Sequence, residues 1–171
     1  MAGLTAERLD PLRWMVVPMT ACMAATLLFC APVKVFGLQL PEPVFAMVPA
    51  FAWAVLRPSI LAPAALLLLG LFDDLVWGGW LGLWPLGLLV AFGFVLVTRN
   101  MMSGQPRLMN WLWYAAAWSA GMGAAWLATL LHTGNPPNIL AVVGQWLPTV
   151  LLYPLADRLI GAFEDADPRF R

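Results

Sequence analysis

Long apolar runs, each bounded by a charge or a turn signal, set the pattern of this chain. Trp14–Val33 is a 20-residue apolar run opened by Arg13 and closed by Lys34, long enough to cross a hydrocarbon core of about 30 Å. It exceeds the h-region of a signal peptide, and Glu7 and Asp10 dilute the basic stretch that would precede one. It reads as a retained first span. Two shorter runs follow, Pro43–Leu56 and Ser59–Phe72, separated by Arg57-Pro58; then come Trp80–Thr98, Trp111–Leu131 and Ile139–Ala156. The pattern predicts six helical spans in a transmembrane domain over residues 14–156, after a short N-terminal segment 1–13. The tail 157–171 places Leu159, Ile160 and Phe163 on one helical face with charges elsewhere, as in a helix lying partly in the interface.

The one ambiguity is whether residues 43–72 make one span or two. Lys and Arg in short loops are strongly biased to the cytoplasmic side. With two spans turning at Arg57-Pro58, Arg8, Arg13, Arg57, Arg99, Arg107, Arg158, Arg169 and Arg171 all lie inside and only Lys34 outside. With one span, Arg57 sits at membrane depth at a cost of about 2.5–3.5 kcal/mol, and Lys34 and the later arginines face outward. The charges therefore predict six spans with both termini inside. The short second and third segments predict a broken hairpin covered by protein, because unpaired backbone is not tolerated against lipid.

Composition sharpens this. The chain is 62% hydrophobic and 11% charged, against about 25% charged for a soluble domain, so a multi-pass membrane protein is expected. Nine basic and nine acidic residues cancel, with no basic patch for nucleic acid. Cys22 and Cys30 are eight residues apart on one helix, about 12 Å at 1.5 Å per residue, too far for a disulfide. With a single His and no CxxC pair, no zinc, haem or other cofactor set is visible.

Candidate chemistry is sparse. Asp73-Asp74 ends the third run, and carboxylates near the bilayer often mark ion paths; no second aspartate on another span exists to make a proteolytic pair. Both acids are expected to cap or solvate the outer end of the third span, with a structural or partner-binding role left for Asp74. Arg57-Pro58 reads as a tight inner turn. Gln145, the most polar residue of the sixth run, reads as an interhelical hydrogen-bonding group, and His132 as a solvated loop residue. Trp14, Trp77, Trp80, Trp111 and Trp113 fall at interfaces, as in an aromatic belt. Ala117, Gly121 and Ala125 make a strip of small residues on the fifth span, with Ser119 and Gly123 offset by two. Gly78 and Gly82 repeat the spacing at the start of the fourth. Such strips let another helix approach closely, which favours packing inside the bundle, with a partner interface as the alternative that the strip through Gly121 is expected to test.

The stretch Gly70-Leu71-Phe72-Asp73-Asp74-Leu75-Val76-Trp77-Gly78-Gly79-Trp80-Leu81-Gly82 resembles the central G-L-x-x-D-x-x-x-G-x-x-L-G motif of the bacterial rod shape-determining MreD family. The resemblance extends to Trp53-Ala54-Val55-Leu56-Arg57-Pro58, a W-x-x-x-R-P element, and to Tyr153-Pro154 near the end of the last run. It puts Asp74 at the motif's aspartate, with Asp73 an additional acid. Arg57, Pro58, Gly70, Asp74, Gly78 and Gly82 become the motif residues. The resemblance implies a non-enzymatic subunit of the cell-elongation machinery in the bacterial cytoplasmic membrane. Its partners would be an MreC-like bitopic protein and, indirectly, an MreB-like filament and the glycosyltransferase and transpeptidase of lateral peptidoglycan synthesis. It also implies a fold like the six-helix substrate-binding subunit of energy-coupling-factor transporters, which leaves a small-molecule-binding transporter subunit as the alternative. That alternative requires a polar outward pocket, for which the outer loops offer only Gln39, Glu42, His132 and Asn135.

Overall fold

The computed structural model describes residues 11–30, 34–35, 38–39, 42–56 and 59–166. Seven helices carry the architecture: α1 Pro11–Phe29, α2 Met47–Leu56, α3 Leu61–Trp77, α4 Leu83–Met102, α5 Arg107–Thr133, α6 Ile139–Leu151 and α7 Tyr153–Ala166. Between α1 and α2 the strands β1 (Lys34–Val35) and β2 (Leu38–Gln39) form a two-residue antiparallel ladder with Lys34 opposite Gln39. Among the described residues the regular structure is therefore all-helical apart from this small hairpin. Among the same residues, two units are long and apolar enough to cross a membrane, α4 and the continuous stretch Ile139–Ala162 through α6 and α7. Arg57 and Pro58 lie outside the described residues, as do residues 1–10 and 167–171.

Helix ends follow local chemistry. Gly78 adopts a left-handed conformation (φ 68°) and returns its N–H to the Asp74 carbonyl, ending α3. Gly134 does the same for α5 (φ 69°), with its N–H on the Leu130 carbonyl at 2.9 Å; only glycine adopts this conformation without a Cβ penalty. The Asn138 side chain accepts from the Leu140 N–H at 2.9 Å and caps α6.

Several boundaries differ from the sequence pattern, α2 starting only at Met47 and α5 running from Arg107 to Thr133 among them. The third run continues a full turn past Phe72, because the stop is Gly78 and not the acids. The fourth helix starts at Leu83, not Trp80, and extends through Arg99 and Asn100 to Met102. The last run breaks at Leu152, so α7 begins inside the stretch expected to be a single span. Pro154 explains the break: it has no N–H for the Val150 carbonyl four residues back. Trp111 Nε1 on α5 donates to the Val150 carbonyl at 3.1 Å, and the Tyr114 hydroxyl adds a donor at 3.2 Å to the Thr149 carbonyl, which also accepts the Leu152 N–H at 3.1 Å.

The centre of the bundle is α2. Ten residues at 1.5 Å each span about 15 Å, half the hydrocarbon thickness, and seven of them are buried, Phe51 and Trp53 among them. Its approach segment is tied down by the Val44 N–H, which donates to Thr149 Oγ1 at 3.0 Å. The longest packed seam is α4 against α5. Outside these contacts the surface is apolar: Leu28, Val97, Leu131 and Leu140 are each at least 75% exposed.

Candidate functional site

Four of the motif residues, Gly70, Asp74, Gly78 and Gly82, converge on the α3–α4 hairpin. Asp74, in the last turn of α3, points across the loop at the start of α4. Its Oδ2 accepts from the Gly82 N–H at 2.6 Å and its Oδ1 from the Trp84 N–H at 3.0 Å. The Leu83 N–H goes to the Trp80 carbonyl at 3.4 Å, and Pro85 has no N–H to satisfy, so the donors of the first turn of α4 are all accounted for. Gly82 has φ 104°, a value that turns its N–H toward Asp74 and that a side chain would strain. Gly70 completes the unit one turn before Asp74: a Cβ there would overlap the backbone and ring of Pro85, so the two helices close to contact at that point. Gly70, Asp74, Gly78 and Gly82 thus have one joint role, which is to fold α3 back onto α4. Gly78 and Gly82 lie in the turn and not on a helix-packing face, as the four-residue spacing had suggested.

Both aspartates are buried, each only 1% exposed, which corrects the expectation of a solvated helix end. The reason is the extra turn of α3, which carries them under the loop. Asp73 faces α1, where the Thr26 hydroxyl donates to its Oδ1 at 3.4 Å, while its Oδ2 has no hydrogen-bond partner among the described residues. Beside it, Trp77 donates from Nε1 to Glu42 at 2.7 Å and packs edge-on against Trp84, with ring centroids 4.7 Å apart. Trp84 in turn stacks on the fully buried Trp118 at 6.3 Å. Trp77 is therefore a link between the β1–β2 side and the core as well as an interfacial residue. His132 is not simply solvated: its ring stacks on Trp80 at 3.8 Å.

The small strip on α5 faces inward. A Cβ on Gly121 would stand 2.5 Å from the Gly87 carbonyl oxygen and 3.2 Å from Ala91 Cβ, and one on Gly87 would meet the Gly121 carbonyl at 3.3 Å. Ala117 and Ala125 are buried along the same line. Ala117, Gly121 and Ala125 are consumed by the α4–α5 seam, which is the internal packing and not the partner interface at this strip: repetition every four residues fixes a face but not its direction. The offset face is the open one. Ser119 and Gly123, with Met122, Trp126, Val142 and Trp146, border an apolar groove of about 420 Å³ between α5 and α6. Its one polar feature is Trp146 Nε1 donating to Ser119 Oγ at 2.9 Å.

Gln145 is half-buried, and its backbone carbonyl, not its amide, is engaged, accepting the Thr149 hydroxyl at 2.8 Å. Thr149 is the polar hub that the sequence reading missed: fully buried, it bonds α6, the approach to α2 and, through its carbonyl, α5. The available signal was its place between Pro148 and Pro154, where helix carbonyls lose donors. Cys22 and Cys30 are free thiols. Among the described residues no three His, Cys, Asp or Glu side chains gather as metal ligands. Compared with known proteins, the chain matches no family model, no curated protein and no solved structure.

Proposed function

We propose that this chain is a non-enzymatic, multi-pass subunit of the bacterial cytoplasmic membrane that acts in cell elongation in the manner of the MreD family. In this reading it crosses six times with both termini inside, and it binds an MreC-like bitopic protein. It thereby helps to position, indirectly, an MreB-like filament and the peptidoglycan glycosyltransferase and transpeptidase. The open groove between α5 and α6 carries the proposal. α6 and α7 leave most of their apolar surface uncovered, with only 22% of their membrane-length window buried, and Ser119 and Gly123 give another helix room to approach. The eight-to-one distribution of basic residues supports the topology. The joint placement of Gly70, Asp74, Gly78 and Gly82 in one hairpin supports the resemblance on which the partner rests. A protein of this kind influences wall synthesis through binding alone.

The test is recovery of partners. Gly123 has open space around it, so Gly123→Leu is tolerated by the fold and fills the groove. Overpacking of about 1–3 kcal/mol converts to about a ten- to hundredfold loss of association. The expected result is a protein that inserts and accumulates as wild type yet co-purifies with much less bitopic partner from native membranes. Unchanged recovery would remove the groove from the mechanism.

A further inference from the structure

A second cavity, of about 440 Å³, lies at the opposite end of the polar spectrum from the α5–α6 groove. It opens where α2 and α4 end and where α5 and α7 begin, and that volume is within the usual range for a small-molecule site. Its polar wall contains both signs of charge, Arg99 and Asp157, together with Asn110. Its apolar wall is made by Phe51, Met102 and Ile160.

Three features of the polar wall define what it can hold. Arg99, at the end of α4, is half-buried and offers the planar fork of donors that matches a phosphate. Asn110, in the first turn of α5, has a buried Oδ1 with no hydrogen-bond partner among the described residues, and a buried acceptor left in that state costs free energy until a donor reaches it. Asp157 supplies a second acceptor and a negative charge. Its partner Arg107 sits 3.6 Å away with a side chain 89% exposed, a pairing of little strength in solvent, so the carboxylate retains lone pairs for another donor.

We infer that this cavity binds the zwitterionic headgroup of an amine-bearing phospholipid of the phosphatidylethanolamine class, its phosphate on Arg99 and its ammonium shared by Asn110 Oδ1 and Asp157. The ammonium brings three N–H donors to two acceptors. A choline headgroup has no N–H to give, and a glycerol headgroup has no positive charge for Asp157. The apolar wall of Phe51, Met102 and Ile160 receives the start of the acyl chains. The site lies at one end of both membrane-length units, α4 and α6–α7, where lipid headgroups are found. The inference is independent of any role in cell elongation and requires only that the protein sit in a bilayer.

The full chain, purified in detergent and stripped of lipid, is titrated with dioleoyl phosphatidylethanolamine, phosphatidylglycerol or phosphatidylcholine, and bound lipid is read by native mass spectrometry. Phosphatidylethanolamine is expected to be retained about tenfold more strongly than either of the others, the yield of one charge-assisted hydrogen-bonded contact. Asp157→Asn should abolish its advantage over phosphatidylglycerol, and Arg99→Gln should weaken both phospholipids. Arg107→Gln removes the competing cation from a largely exposed position and should keep or raise phosphatidylethanolamine retention, so it decides the matter even where Asp157→Asn fails to fold. Equal retention of all three lipids, preference for phosphatidylglycerol, or a fall on Arg107→Gln would each overturn the assignment. Water-soluble glycerophosphoethanolamine should not displace the lipid at matched concentration; if it does, the ligand is a soluble phosphoamine and the lipid source is wrong.

Discussion

Asp74 shows how one side chain can stand in for a helix cap from nine residues away. It accepts two N–H groups at the start of α4 from the last turn of α3, so its removal leaves both donors without that acceptor, the one on Trp84 buried. An ordinary cap is worth about 1 kcal/mol, and leaving a buried donor unsatisfied costs about 1–3 kcal/mol. Asp74→Ala is expected to lower stability by about 2–4 kcal/mol on that basis, and Asp74→Asn, which keeps one acceptor oxygen, by about half as much. Thermal unfolding in detergent measures both. Equal loss in the two variants would mean that burial of a carboxyl group, not its acceptors, is what the site requires. Asp73 is the control: its single long bond to Thr26 leaves Asp73→Asn with one acceptor in place and a donor for the position of the unpartnered oxygen. That variant should unfold at or above the wild-type temperature.

At the scale of elements, the α4–α5 seam is where backbone meets backbone. Gly121 and Gly87 approach so closely that a single Cβ on Gly121 has no place to go, since what it meets is the Gly87 carbonyl and not the end of a flexible side chain. Gly121→Leu should therefore separate the helices and deplete the protein from membranes, in contrast to Gly123→Leu on the adjoining open face, which should leave its level unchanged. Immunoblots of membrane fractions distinguish the two; normal accumulation of Gly121→Leu would show that the seam can part without loss of the fold. The pair also marks how far the sequence could be read. Apolar runs were legible because side chains that face lipid or core must be apolar over a whole helix, so all the main helices were visible in outline. Ala117, Gly121 and Ala125 were legible as a strip, but their direction depends on Gly87 and Ala91, thirty residues earlier in the chain, and no local pattern carries that information. The buried acids were misplaced for the same reason: whether a helix continues past Asp73-Asp74 depends on the donors of α4 waiting beneath the loop. Pro148 and Pro154 were both visible within the last run; which of them breaks it is set by Trp111 and Tyr114 on another helix.

For the molecule as a whole, the proposed topology turns on which end faces the cytoplasm, because that fixes the side of the membrane on which the mixed-charge cavity and the α3–α4 hairpin stand. Arg99 and Arg107 flank one end of the α4–α5 pair, whereas Asp74 and the turn at Gly78–Gly82 lie at the far end of α4. A 20-residue helix rises about 30 Å, so these two ends are a full hydrocarbon thickness apart. In the proposed topology the bias of basic residues toward the cytoplasm would put Arg99, Arg107 and Arg158 inside and the Asp74 hairpin outside, and Arg57, the residue after α2 in the sequence, would be inside as well. A cysteine introduced at Arg57 in a chain lacking Cys22 and Cys30 should react with a membrane-impermeant thiol reagent only after the membrane is opened, and one at Leu81, exposed in the outer turn, should react in intact cells. Labelling of the first in intact cells, or protection of the second, would reverse the topology and move the mixed-charge cavity to the outer leaflet. Agreement of both would place the mixed-charge cavity in the inner leaflet and the Asp74 hairpin at the outer surface.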